Sequence, residues 1–191
     1  VLNNVSFTVP PGTVTALVGV SGAGKSTIAM LTARFWDIED GEIRIGGSNI
    51  KQIRTEDLMN IVSFVFQDNM LFFDTIEENI RMGNKTATKD NVIAAAKAAQ
   101  CHDFIMQLEK GYDTLVGEGG TYLSGGEAQR VALARAILKD APIILLDEAT
   151  AYADPENEGK ILDSFSQLIK GKTVMVIAHR LSTIRNAEQI L

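Results

Sequence analysis

The stretch TALVGVSGAGKST, Thr15 to Thr27, sets an apolar run directly before the pattern G-x-x-x-x-G-K-[ST]. That is the strand, turn and helix order of a phosphate-cradling loop. Gly19, Gly22 and Gly24 lack a Cβ, so the successive backbone N–H groups of Gly19, Val20, Ser21, Gly22, Ala23 and Gly24 can close around the β- and γ-phosphate oxygens of a nucleoside triphosphate. Lys25 adds a cation where negative charge is densest, and Ser26 offers a hydroxyl to Mg²⁺. A helix starting at about Lys25, with Thr27 in its first turn, points an N-terminus worth roughly half a positive charge at the same phosphates. A glycine-rich turn of this kind can also be purely structural, so the remainder of the chain has to decide.

Residues 142–148 read PIILLDE, a near-continuous apolar run of the kind that forms a strand buried on both faces of a parallel sheet. It ends in two adjacent carboxylates. Ligands of open α/β sheets gather at the carboxyl ends of the strands, which puts Asp147 and Glu148 beside the phosphate loop. Asp147 is expected to hold Mg²⁺ through water, and Glu148 to polarise the attacking water as general base.

A third segment, Leu123-Ser124-Gly125-Gly126-Glu127, leads into AQRVALARAILKD, where Val131, Ala134, Ile137 and Leu138 recur at helical spacing. Ser124 and Glu127 form a capping-box pattern that needs no function. Capping does not explain two glycines in a first helical turn, where each costs about 1 kcal/mol relative to alanine. Bare N–H groups at a positive helix end, beside a serine hydroxyl, make a second anion site.

With these three segments on one chain, the sequence resembles the nucleotide-binding domain of ATP-binding-cassette transporters, in which Leu-Ser-Gly-Gly is the family signature. The resemblance runs through nearly all 191 residues. It matches Gly19–Thr27 to the Walker A loop, Gln67 to the Q-loop glutamine, Leu123–Glu127 to the signature, Asp147 and Glu148 to the Walker B acids and His179 to the switch histidine. It implies an ATPase that uses ATP and Mg²⁺. Ser26, Gln67 and Asp147 would serve the metal, Gln67 also sensing the attacking water, while His179 would bond the γ-phosphate and orient that water. It further implies a head-to-tail dimer in which Leu123, Ser124, Gly125, Gly126 and Glu127 of one subunit close over ATP held by the other.

Asp154 opens Asp154-Pro155-Glu156-Asn157-Glu158, an N-cap acid followed by proline at the first helical position. The family's matching aspartate ends a loop that crosses the dimer interface, but Ser-Ala-Leu-Asp is common there and this chain has Ala151-Tyr152-Ala153-Asp154. The wording EATAYADPENE is similar to siderophore-handling cassette proteins with an exporter-like fold. MLFFDTIEENI, from Met70 to Ile80, and LVGEGGTYLSGGE, containing Glu118, resemble exporter-type transporters. The latter stretch is similar to their X-loop, where coupling helices of a membrane domain press on the ATPase.

The chain is 46% hydrophobic and 22% charged with 4 prolines, and no run approaches the span of apolar residues that crosses a membrane. Net charge is −6 and no basic run stands out, which disfavours a nucleic-acid partner. The single Cys101 suits a reducing compartment, and beside His102 alone it makes a poor metal site.

Strands are expected at Val5–Val9, Thr13–Val18, Glu42–Ile45, Ile61–Phe66, Ile143–Leu146 and Thr173–Ala178, with a helix over Thr88–Gln100 capped by Thr88. The resulting expectation is an α/β P-loop NTPase (RecA-like) core with a mostly parallel sheet, an N-terminal antiparallel β portion and an inserted helical subdomain. Residues 1–191 read as one cassette domain, truncated at both ends, with its core at about 1–68 and 141–191 and the insertion at about 69–140. Its expected place is the cytoplasmic face of a membrane, with a second nucleotide-binding domain and transmembrane domains fused upstream of Val1 as partners. The adenine-stacking aromatic is expected before Val1. The rival reading is a cassette ATPase acting on DNA or the ribosome. DNA-repair members carry a long coiled coil where this chain has a compact insertion, and the acidic balance also disfavours that reading.

Overall fold

The computed structural model describes residues 2–66, 70–147, 155–178 and 187–191. In chain order its elements are β1 (Val14–Leu17), α1 (Lys25–Thr32), β2 (Arg44–Ile45), β3 (Ser48–Asn49), α2 (Thr55–Ile61), β4 (Val62–Val65), β5 (Asp74–Thr75), α3 (Ile76–Arg81), α4 (Lys89–Ala98), α5 (His102–Gln107), β6 (Leu115–Val116), α6 (Gly125–Lys139), β7 (Ile143–Asp147), α7 (Pro155–Ile169), β8 (Thr173–Ile177) and β9 (Gln189–Ile190). They fall into two compact units. One comprises Val1–Phe64, Ala141–Glu148 and Gly171–Leu191, the other Val65–Asp140 and Ala149–Lys170.

The first unit is built on a sheet of order β4-β7-β8-β1-β9. β8 runs parallel to both β1 and β7, and β9 runs parallel to β1. β7 and β8 are almost wholly buried apolar runs, the pattern of strands covered on both faces. Leu17, Ile177 and Asp147 stand in one row across the sheet, and Thr15, Met175 and Leu145 in the row two residues before it. Side chains alternate faces along a strand, so Leu17, Ile177, Asp147, Met175 and Leu145 share one face. The apolar members of that set form a core with Ala29 and Ala33 from the α1 region, Ile50, Leu58 and Val62. Asp147 is the polar end of that face.

The parallel sheet and its helices agree with the α/β expectation, but the strand expected at Val5–Val9 does not form. Val5 and Phe7 are exposed, and among the described residues that segment joins no ladder. Alternation makes a strand only where another edge supplies hydrogen bonds, and here Asn4 sits at φ 52 while Pro10 and Pro11 lack an N–H. The antiparallel portion of this unit is the hairpin β2–β3, joined by Gly46-Gly47 at φ 57 and 82. Positive φ at both central residues defines a type I′ turn.

In the second unit α6 packs against α3, α4 and α7. α7 contributes Ile161, Phe165 and Leu168 to the core, one helical stripe. Thr88 caps α4 as expected, in a reciprocal box with Asn91. Cys101 immediately precedes α5 and is fully buried, and burial pushes its thiol up to about 12. The first residue of α5, His102, places Nδ1 2.8 Å from the Tyr112 hydroxyl, so both residues are occupied structurally. β5 and β6 pair antiparallel, bringing residues 74–75 beside 115–116.

Gly83, just beyond α3, lies so close to α6 that an added Cβ would stand 2.1 Å from the Arg135 carbonyl oxygen. Backbone cannot yield as a side-chain tip does. Gly83→Ala is therefore expected to destabilise by about 1–3 kcal/mol. Gly159→Ala on α7, where an added methyl meets nothing within 4 Å, is expected to stabilise by about 0.5–1 kcal/mol. Urea-unfolding midpoints moving in opposite directions check the pair.

Candidate nucleotide site

β1 delivers the chain to the carboxyl edge of the sheet, and residues 19–24 turn it into α1. Gly22 and Gly24 hold φ 79 and 94, a conformation that side-chain-bearing residues rarely adopt. Gly24 is the N-cap of α1, and the helix carries neither a side-chain cap nor an acid in its first turn. By contrast, α3, α4 and α6 are each capped by a side chain and carry an acid there. The first turn of α1 thus keeps its backbone donors free of a capping side chain from its own segment, the arrangement that receives an anion.

Lys25 is buried, and its Nζ donates to the carbonyl oxygens of Gly19 at 2.9 Å and Val20 at 3.0 Å. Two of its three protons thus brace the loop and the third remains to meet a phosphate. Val20, Ser21, Gly22 and Ala23 are exposed, with Ser26 and Thr27 half-buried behind them. The Ser26 hydroxyl donates to Asp147 Oδ1 at 3.2 Å, although the two residues are 121 positions apart. A hydroxyl oxygen and a carboxylate oxygen brought together at the head of a phosphate loop form the hard-oxygen pair that Mg²⁺ favours, so these residues fit the metal.

In the second unit the expected box at Leu123–Glu127 is present. Leu123 is buried. Glu127 Oε2 lies 2.8 Å from both Ser124 N and Ser124 Oγ, and Glu127 N donates back to Ser124 Oγ at 3.3 Å. Gly125 and Gly126 begin α6. Of the helical stripe expected to follow, Val131 and Ala134 are buried while Ile137 and Leu138 are half-buried, and Gln129, Arg130, Leu133 and Ala136 are also buried. Glu118 is exposed in the turn after β6. Gln67, Glu148, Asp154 and His179 lie outside the described residues.

One arrangement has little trace in the local sequence. Asn79 is fully buried, and its Nδ2 donates to the carbonyls of Phe72 at 2.9 Å and Thr75 at 3.0 Å while its Oδ1 accepts from Phe72 N. Arg135 of α6 donates to Asn79 O at 2.8 Å and Asn79 Oδ1 at 3.1 Å, and its guanidinium lies over the Phe72 ring. These bonds fix a loop that exposes Met70, Phe72 and Phe73 beside exposed Leu115. The available signal was a polar residue in the buried row Ile76, Asn79, Ile80.

A parallel sheet with a braced glycine loop, an uncapped helix N-terminus and a serine–aspartate pair at its carboxyl edge defines a P-loop nucleotide-binding ATPase. Residues 2–151 match the ABC transporter family, and the chain belongs to that family. It is 55% identical to ATP-binding cassette sub-family B member 6 of Homo sapiens, over 100% of this chain and 23% of that protein. Identity to the mycobactin import ATP-binding/permease protein IrtA of Mycolicibacterium smegmatis is 50%, over 100% of this chain and 22% of that protein. A solved structure of a bacterial Atm1-family ABC exporter with ATP bound matches with a TM-score of 0.92 at 48% identity, covering 100% of this chain and 33% of that one. The chain is thus an exporter-type ATP-binding domain spanning at most about a third of the relatives it matches.

Proposed function

We propose that this domain is the engine of a membrane transporter. Two copies, or this domain and a homologous partner, sandwich two ATP molecules, each between Gly19–Thr27 of one subunit and Leu123–Glu127 of the other. The observation that carries the reading is the Ser26–Asp147 contact beside the braced Lys25 in the first unit. In this reading the N–H groups of Gly125 and Gly126, at the capped start of α6, meet the γ-phosphate of the partner's ATP. Mg²⁺, held by Ser26 and Asp147 with Gln67 contributing, would supply charge neutralisation at the β- and γ-phosphates.

In this reading Lys25 and the loop N–H groups bind and orient the triphosphate, Glu148 accepts a proton from the attacking water, and His179 orients that water. Asp154 and Glu118 lie at subunit interfaces. The exposed Met70, Phe72, Phe73 and Leu115 make an apolar surface of the kind that receives a partner. Its occupant is a cytoplasmic segment of transmembrane domains carried in the same parent chain, a reading that the 14–33% coverage of relatives supports. The domain then works at the cytoplasmic face of the membrane. No helix among the described residues is itself long and apolar enough to cross it.

Ser124→Arg tests the sandwich. A bulky cation filling the site offered to the partner's ATP is expected to leave nucleotide binding at Gly19–Thr27 intact and to lower turnover by about 10- to 100-fold. Wild-type hydrolysis by that variant removes the signature from the mechanism.

A further inference from the structure

The signature box carries a charge that capping does not require. A hydroxyl has one proton to give, and Ser124 Oγ lies 2.8 Å from Glu127 Oε2, which also accepts from Ser124 N. The N–H groups of Gly125 and Gly126 are not used by the box. The start of α6 therefore offers a phosphate two backbone donors, with a full negative charge fixed beside them and the hydroxyl committed to that charge. Glutamine at the same position makes the same reciprocal bonds. What Glu127 adds is repulsion toward an anion.

We infer that Glu127 is a positioning residue that acts as a built-in counter-anion. It holds the Ser124 hydroxyl until a γ-phosphate displaces it, and sets the signature's affinity for the partner's ATP below what the backbone donors alone would give. This rests on the sandwich reading above. The same charge favours reopening: once hydrolysis frees the γ-phosphate, the carboxylate retakes the hydroxyl. Catalytic contacts stay with the phosphate loop and with Asp147 and Glu148.

The experiment is steady-state ATP hydrolysis by the full-length parent chain. Glu127→Gln keeps the box and is expected to lower the KM for ATP about two- to fivefold, the size of one charge beside a helix terminus. That ratio should shrink as KCl rises from about 0.05 to 0.5 M, because salt screens a charge and leaves a cap. Glu127→Asp keeps the charge while shortening its reach, and is expected not to lower KM. A KM for Glu127→Gln at or above wild type, a decrease that high salt does not erode, or an equal decrease in Glu127→Asp overturns the assignment. Ser124→Arg in the same assay separates the two readings. If it turns over normally, the sandwich falls and takes this role with it. If it loses turnover while Glu127→Gln leaves KM unmoved, only the charge role falls.

Discussion

Glu148→Gln is expected to lower ATP turnover by about 10²- to 10⁴-fold, the contribution of a positioned general base, while leaving ATP binding in place. The amide keeps the shape and can still orient water, but it cannot take the proton. Binding is expected to survive because the proposed phosphate contacts belong to residues 19–27 and the proposed metal contacts to Ser26 and Asp147, which meet at 3.2 Å. If the proposed sandwich holds, blocking hydrolysis is expected to keep the γ-phosphate between one subunit's loop and the other's Ser124, so that the closed dimer accumulates. Phosphate release and ATP retention are to be measured in parallel on the full-length chain. Near-normal turnover rules out Glu148 as the base. Lost turnover without any ATP-dependent closing leaves the base standing and removes the sandwich.

Lys25→Ala is expected to weaken ATP binding by about 10²-fold, corresponding to the upper range of about 3 kcal/mol for a charge-assisted hydrogen bond. Two effects act together. The phosphates lose the loop's one cation, and the carbonyls of Gly19 and Val20 lose the donor that braces them. The loop itself should therefore loosen. Lys25→Arg is not a rescue, because a planar fork cannot place single donors on both carbonyls and a phosphate at once. Nucleotide titration by calorimetry checks the affinity. An unchanged dissociation constant contradicts the assignment of the loop.

Where chemistry was written in short windows, it could be read before the fold. Gly19–Thr27, Asp147 and the Ser124–Glu127 box each declare themselves by residue type and spacing, because a phosphate loop and a helix cap are local geometries. The parallel sheet was legible for a similar reason: β7 and β8 are apolar enough to be buried on both faces whatever their neighbours. Pairing that depends on distant edges was not legible. Val5–Val9 alternates correctly and still has no ladder among the described residues, whereas β5, β6 and β9 are two-residue strands too short to carry a pattern. Asn79 escaped notice because its worth lies in the carbonyls of Phe72 and Thr75 and in Arg135, 56 positions away. Nothing local announces such a partner.

The alignment of Leu17, Ile177 and Asp147 in one row has a consequence for how this sequence can drift. β8 stands between β1 and β7, and α1 packs over both β7 and β8, so the register of three strands sets where the serine at the head of α1 meets its aspartate. A single residue inserted anywhere in residues 143–146 would leave an apolar strand that still folds, yet would turn Asp147 to the opposite face of the sheet. Exchanges among Ile, Leu and Val in β7 cost packing but keep Asp147 on its face, whereas a change of length does not. An insertion or deletion ahead of Asp147 would therefore cost the site as much as replacing Asp147 itself.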